Sequence, residues 1–347
     1  MAERWSDLHR RLHQQLLHQR DLLPEGEPLL LAVSGGQDSM ALTGLLSDLR
    51  RLHHWPLQLW HGNHRWRPEA EQQAQELQSW AQGQGLPIQI DCWAQPQTDE
   101  ASARAWRYGQ LQTLAQELGC LRVVTGHTAS DRSETVLLQL ARGSHRRGLS
   151  SLRPRRTLGG SIELVRPLLG LTRSDTAQIC RQLALPIWLD PSNSDPRYSR
   201  NRIRHEVLPV LEELHPGASG RISQLSERLA QEEEGCDQLL DLALTNLKST
   251  TAQAQPALQR RPFTALARSN QRQLLNRWLA AQDISLGNAE QLEHLLNRLP
   301  PHRGPGQWDL SRGCSLQWNR DLIWLAHSQR SQPVQNDLNQ GGSSATP

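Results

Sequence analysis

The sequence predicts an α/β fold, a doubly wound parallel sheet followed by a smaller, mainly helical C-terminal domain. Three observations point there. Short apolar runs alternate with helix-spaced segments through the N-terminal half, as expected when helices cover both faces of a parallel sheet. The first of those runs ends in a Gly-Gly turn that opens a helix. Past a Pro- and Gly-rich stretch at 215–220, the alternation gives way to helical leucine spacing.

Trp5, Leu8, Leu12, Leu16 and Leu17 recur at helical spacing and predict an amphipathic N-terminal helix. Apolar runs at 29–33, 57–60, 87–92 and 121–125 predict four strands, with helices at about 40–53, 68–82 and 100–118 between them. Residues 162–169 predict a fifth strand, 172–184 another helix and 186–189 a short segment. His215-Pro216-Gly217-Ala218-Ser219-Gly220 reads as a linker. Beyond it, helices are marked by Ile222, Leu225 and Leu229; by Leu239, Leu240 and Leu244; by Leu274, Leu275, Trp278 and Leu279; and by Leu292, Leu295 and Leu296. Trp278 and Trp308 read as core. Residues 314–318 and 322–325, joined by Asn319-Arg320-Asp321, predict a hairpin, and the polar residues 329–347 a disordered tail. The expected division is a catalytic domain at 1–215 and a second domain at 221–328.

Composition narrows the function. No apolar run approaches the 18 residues of a membrane span, and the N-terminus lacks an apolar signal core, so a cytoplasmic protein without a membrane partner is expected. Five scattered cysteines, none in a C-x-x-C pair, give no support to a zinc knuckle or iron–sulfur cluster and fit a reducing compartment. Net charge is only +3, yet residues 135–162 hold no acid and carry Arg142, His145, Arg146, Arg147, Arg153, Arg155 and Arg156. A local arginine patch on a near-neutral chain fits either a solvated loop or a polyanion at one face.

The chemistry gathers at predicted strand ends, where ligands bind in such sheets. Ser34-Gly35-Gly36-Gln37-Asp38-Ser39 joins the first strand to a helix. Turn N–H groups and the helix dipole make an anion site there, two hydroxyls add donors, and Asp38 suits a magnesium ion beside phosphates. It is not G-x-x-x-x-G-K-[ST], because Lys248 is the sole lysine. His64 follows the second strand. Gly126-His127 ends the fourth, and the next helix carries Asp131 and Glu134, three apart and on one face.

The S-G-G-x-D-S loop resembles that of the ATP pyrophosphatase superfamily. From Thr125 to Leu149, then Arg166-Pro167-Leu168-Leu169, Asp190-Pro191-Ser192-Asn193, Tyr198, Arg200-Asn201-Arg202-Ile203-Arg204 and Pro209, the chain resembles the tRNA(Ile)-lysidine synthetase family. Glu100, Arg104 and Arg107-Tyr108 match upstream. Two departures stand out: the family's paired aspartates read Ser130-Asp131, and its H-G-L-R reads His64-Arg65-Trp66-Arg67. The resemblance implies an adenine nucleotide alpha hydrolase-like (Rossmann-like) fold. It also implies ATP and Mg2+ as cofactors, and L-lysine and a CAU-anticodon tRNA(Ile) as partners. ATP would adenylate the wobble cytidine and lysine would displace AMP to form lysidine. A homodimer is compatible with the family, but no interface pattern supports it.

Under that resemblance, Ser34, Gly35, Gly36, Gln37, Asp38 and Ser39 hold the nucleotide, with His64, Gly126 and His127 beside it. Asp38 and Asp131 hold magnesium, and Asp38, Asp131 and Arg204 serve catalysis. Glu134, Arg107, Arg142, Arg146, Arg147, Asn193, Arg200 and Asn201 face lysine or tRNA. The alternative for Arg200 and Arg204 is a structural salt bridge. Three rivals stay open: a tRNA thiolation enzyme, which needs catalytic cysteines; a small-molecule amidation enzyme; and an RNA-binding protein on a decayed nucleotide scaffold.

Overall fold

The computed structural model describes residues 5–66, 68–94, 99–188, 195–284, 287–310 and 313–327. The chain forms two compact units, Met1–Glu233 and Glu234–Pro347.

In the first unit, α1 (Asp7–His18) is opened by a Ser6 capping box. There follow β1 (Leu29–Ala32), α2 (Gln37–His53), β2 (Leu57–Asn63), α3 (Ala70–Gly83), β3 (Ile88–Cys92), α4 (Glu100–Glu117), β4 (Arg122–Thr125) and α5 (Ala129–Ala141). Then come α6 (Arg146–Leu149), β5 (Arg155–Gly159), β6 (Ile162–Val165), α7 (Arg173–Gln182), α8 (Ser199–Arg202), α9 (Leu208–Leu214) and α10 (Ala218–Leu247). The sheet order is β3-β2-β1-β4-β6-β5, parallel except for the edge strand β5.

Strand alternation assigns the faces. Leu29 and Leu31 enter the core shared with α1, α2 and α3, whereas Leu30 enters the core under α4 with Trp60, Leu111, Val123 and Leu164. From β1 the chain winds to β2 and β3 on one side, then crosses to β4 on the other. The crevice therefore opens between the carboxyl ends of β1 and β4.

Three expectations change. The fifth strand stops at Val165, because Pro167 starts a 3-10 turn over Pro167–Gly170. The arginine-rich segment contributes β5, an antiparallel partner of β6. The stretch at 215–220 is only a short break between α9 and α10. There the Glu212 carboxylate accepts from the Gly217, Ala218 and Ser219 N–H groups at 2.6, 3.2 and 2.8 Å. Ser133 and Ser226 then tie the start of α10 to the first unit, so that unit extends to Glu233.

The second unit contains the rest of α10, then β7 (Lys248–Thr250), β8 (Pro256–Gln259), α11 (Arg260–Thr264), α12 (Arg268–Ala280), α13 (Ala289–Arg298), β9 (Gly306–Asp309), β10 (Cys314–Trp318) and β11 (Leu322–His327). Its helices surround an antiparallel sheet, β7-β8-β11-β10-β9. The predicted hairpin is β10–β11. The other three strands run three or four residues each, too short for a period-2 signal. Trp278 is core, and Trp308 packs against it. Fully buried Arg260 donates to the carbonyls of Leu299, Asn319, Pro300 and Gly304, satisfying the turns between these elements. The tail at 329–347 lies outside the described residues.

Candidate active site

β1 leads into the turn at 34–36, where Gly35 has φ +80°, the left-handed region that favours glycine. Trp188 covers this turn: its N–H donates to the Gly35 carbonyl at 3.0 Å, and a Cβ on Gly35 would lie 3.1 Å from its ring. Gly36 is the N-cap of α2 and makes no side-chain cap. The first-turn N–H groups of α2 are thus left for an anion. Ser34 Oγ accepts from Gly36 N at 3.3 Å and lies 3.2 Å from Ser39 Oγ, which donates to the Gly36 carbonyl. Gln37 turns elsewhere. Its side chain donates to the Arg173 carbonyl and to Thr176 Oγ1, at 2.8 and 2.9 Å, and ties the loop to α7.

Gly126, at the end of β4, closes the other side. A Cβ there would meet the Asp38 carbonyl at 2.7 Å and Ser39 Cα at 3.0 Å. Both are backbone and cannot swing away. We expect Gly126→Ala to cost about 1–3 kcal/mol by overpacking and to raise KM for ATP about tenfold as the loop is displaced. Urea denaturation and an ATP titration measure the two effects.

Asp38 sits in the first turn of α2. Its carboxylate accepts from Thr176 Oγ1 at 2.5 Å and from Arg173 Nη1 at 3.3 Å. Burial pushes its carboxyl above the ordinary range, the Thr176 hydrogen bond opposes this, and the Asp131 charge adds to the rise. Arg173 and Thr176, both on α7, escaped the sequence reading. The Thr172/Asp175 capping box marks that helix start, but nothing in the pattern aims the helix at Asp38.

Asp131 is the N3 residue of a capping box: its Oδ2 accepts from Thr128 N and Oγ1 at 2.8 and 2.9 Å. Its Oδ1 accepts from Arg200 Nη2 at 2.7 Å and Arg204 Nη2 at 3.4 Å. Burial opposes its ionisation, but the Arg200 charge, His127 and the Thr128 hydrogen bonds outweigh it and hold the carboxyl below its usual range. Glu134 is 1 % exposed. It accepts from Arg200 Nε at 2.7 Å and from Arg204 Nε and Nη2 at 2.6 and 2.9 Å. Glu134 was expected to face lysine; both its oxygens are instead engaged by guanidiniums. Arg200 and Arg204 share a helix face at i, i+4. Pro209 follows, lacking the N–H that would bond back, and the helix widens into a π turn over Ile203–Val207.

His127 Nδ1 lies 2.9 Å from Thr125 Oγ1. Burial lowers its pKa to about 4, against the pull of Asp131. It is therefore neutral at pH 7 and a poor base. Because its folded pKa lies below the unfolded value, folding loses stability as pH falls from 6.5 towards about 4, by at most about 3 kcal/mol. Urea midpoints between pH 7 and 5 should fall less steeply in His127→Gln than in wild type.

His64 joins an aromatic wall, with ring centroids 5.1 Å from Trp66, 5.8 Å from Trp93 and 5.0 Å from Trp106. Asn201 donates to the Asp195 carbonyl at 3.0 Å and braces a turn. Arg107 is half-buried on α4 and Arg142 is exposed at the end of α5. Arg146 pairs with Glu233 at 2.7 Å and Arg147 with Glu233 at 3.5 Å, so α10 supplies the acid that local sequence lacks. Asn193 and its neighbours at 190–192 lie outside the described residues.

A half-buried and a buried carboxylate, Asp38 and Asp131, that feel each other's charge fit a divalent cation. Among the described residues no group of three His, Cys, Asp or Glu could hold a metal alone. Magnesium takes one or two carboxylates and completes its shell with water and substrate phosphates. Cys180 Sγ donates to the Gln37 carbonyl at 3.3 Å, and burial pushes its thiol up to about 11. A thiol held protonated is no sulfur-transfer nucleophile.

The model of a PP-loop domain matches residues 6–211. The chain is 53% identical over 330 residues to a tRNA(Ile)-lysidine synthase of Parasynechococcus marenigrum strain WH8102, covering 94% of this chain and 96% of that one. Against the enzyme of the same name from Prochlorococcus marinus strain SARG the identity is 44%, over 92% and 96% of the two chains. Against that from Gloeobacter violaceus it is 43%, over 79% and 82%. Among solved structures, the U34-tRNA thiolase NcsA from Methanococcus maripaludis shares the fold, with TM-score 0.55, 17% identity, and coverage of 64% of this chain and 77% of that one.

Proposed function

The chain belongs to the tRNA(Ile)-lysidine synthase family of PP-loop proteins, and we propose that it joins L-lysine to C2 of the wobble cytidine in a CAU-anticodon tRNA(Ile) through an adenylated intermediate. One observation carries the reading. At the β1–β4 crevice, an anion-binding loop backed by Asp38 lies beside the start of α5, where Asp131 meets Arg200 of α8 and Arg204 of the π turn after it.

The work divides by charge. The turn at 34–36 and the α2 N-terminus receive the β- and γ-phosphates, with Ser34 and Ser39 as added donors. The cytidine O2 attacks the α-phosphorus, and pyrophosphate departs towards that loop. Asp38 and Asp131 would hold magnesium, which would supply positive charge beside the phosphates. Arg204, fixed by Glu134, offers its guanidinium to the negative charge that builds during transfer. The lysine amine, deprotonated, then attacks C2, and AMP leaves carrying the former O2. Neutral His127 serves as a hydrogen-bonding group beside the nucleotide. Glu134 acts through the two arginines and not on lysine directly.

The second unit is assigned to tRNA recognition, with cytoplasmic action. No helix among the described residues is long and apolar enough to cross a membrane. Homodimerisation stays a proposal, to be read from sedimentation. The deciding experiment incubates the protein with ATP, magnesium, labelled lysine and an unmodified CAU-anticodon tRNA(Ile) transcript. Acid-stable label in RNA that requires ATP supports the reading. AMP release without label would redirect it to another nucleophile, and neither signal from folded protein would overturn it.

A further inference from the structure

Many arginines in this structure meet a carboxylate: Arg146 meets Glu233, Arg155 meets Asp21, Arg200 and Arg204 meet Asp131 and Glu134, and Arg277 meets Asp237 and Asp241. Three do not. Arg104 on α4 and Arg156 on β5 stand over the ring of Tyr108, at 5.3 and 4.7 Å from its centroid. Arg166, just past β6, completes the group and is 3 % exposed. Its Nη1 donates to the Arg153 carbonyl at 2.7 Å, but its Nε has no hydrogen-bond partner among the described residues. No carboxylate pairs with any of the three among those residues.

The cluster bears the marks of crowded positive charge. Burial lowers Arg166 to about 10, and the charges of Arg156 and Arg104 act in the same direction. Burial would raise the Tyr108 phenol, yet Arg104, the Arg156 hydrogen bond and the charges of Arg156 and Arg166 hold it below its ordinary value. Keeping three like charges together, with a buried donor unused, costs the isolated protein free energy. An oxyanion offering several acceptors to planar guanidinium forks would relieve it.

Resting on the reading as a tRNA-modifying enzyme, we propose that Arg104, Arg156 and Arg166, gathered around Tyr108, form a subsite for a backbone phosphodiester of the tRNA. Two features select an RNA phosphate over a small anion. Arg104 and Arg156 are exposed, and β5 is the edge of the sheet, so the subsite faces outward along a surface a polymer can follow. In the parallel β4–β6 register Val165 pairs with Val124, so Arg166 follows β6 at the same sheet end as Gly126 and His127, beside the proposed nucleotide site.

The test is binding of the CAU-anticodon tRNA(Ile) transcript by fluorescence anisotropy across a salt series, using full-length wild type and the double variant Arg104→Gln/Arg156→Gln. Both positions are exposed, so the variant should fold, and Arg166→Lys serves as a third protein that keeps the charge but loses the fork. For the double variant we expect binding about tenfold or more weaker at 0.15 M salt and a log–log salt slope shallower by roughly 1 to 2, as for one or two lost phosphate contacts. KM for lysine and for ATP should stay within about twofold, and Arg166→Lys should fall between the two proteins. Unchanged tRNA affinity and slope would overturn the subsite. A rise in KM for lysine with intact tRNA binding would also overturn it, assigning the cluster to the amino-acid carboxylate. Lysine incorporation by wild type runs in parallel: if it succeeds while the variants match wild type, only the subsite fails; if wild type neither binds nor modifies tRNA, the parent reading falls with it.

Discussion

Asp38→Asn should lower lysidine synthesis by at least about 10²-fold while leaving the protein folded. The carboxylate stands at the α2 N-terminus between the phosphate-binding turn and Asp131, and it is the only acid in that loop. Asparagine preserves its shape and still accepts from Thr176, so packing is spared. What disappears is the negative charge that would hold magnesium against the phosphates. Because burial raises the Asp38 carboxyl, the neutral side chain also removes a desolvation cost, and thermal stability should hold or rise slightly. Activity within tenfold of wild type would remove Asp38 from the catalytic group. A large fall in stability would mean that its role is structural.

Glu134→Gln is expected to be the most destabilising single change in the crevice, by about 3–5 kcal/mol. Two guanidiniums converge on a carboxylate that is almost wholly buried, and the neutral amide would leave both to share Asp131 as their one carboxylate. In a unit of this size that corresponds to a melting temperature lower by roughly 10 °C. The catalytic cost should appear in kcat, since Arg204 loses its anchor. A double-mutant cycle with Arg204→Gln should show coupling of about 1–3 kcal/mol. Had Glu134 faced the lysine ammonium instead, Gln would spare stability and raise KM for lysine alone. Calorimetry and a lysine titration on the same protein separate the two roles.

Elements with a strong local signal were legible. The four predicted strands of the alternating half and the helices between them are β1 to β4 and α2 to α4, since buried parallel strands are plain apolar runs and amphipathic helices carry their period openly. The loop at 34–39 could be read as an anion site because its function lies in backbone geometry, which Gly-Gly and a helix start announce directly. The C-terminal strands β7 to β9 were not legible, since segments of three or four residues hold too few side chains to show a period.

By itself the sequence determined which groups could do the chemistry, namely the loop, Asp38, Asp131 and the R-N-x-x-R arginines, because residue type and local spacing are local properties. Only the tertiary structure decided how they are shared out. It gave Asp38 to Thr176 and Arg173, 138 and 135 residues away. It gave Glu134 to two arginines, and it brought Glu233 to an arginine patch that has no acid of its own. Those assignments depend on distances of a few ångströms between elements remote in sequence. Coulombic and hydrogen-bond energies are set by such distances and by burial, and neither is written in any local pattern.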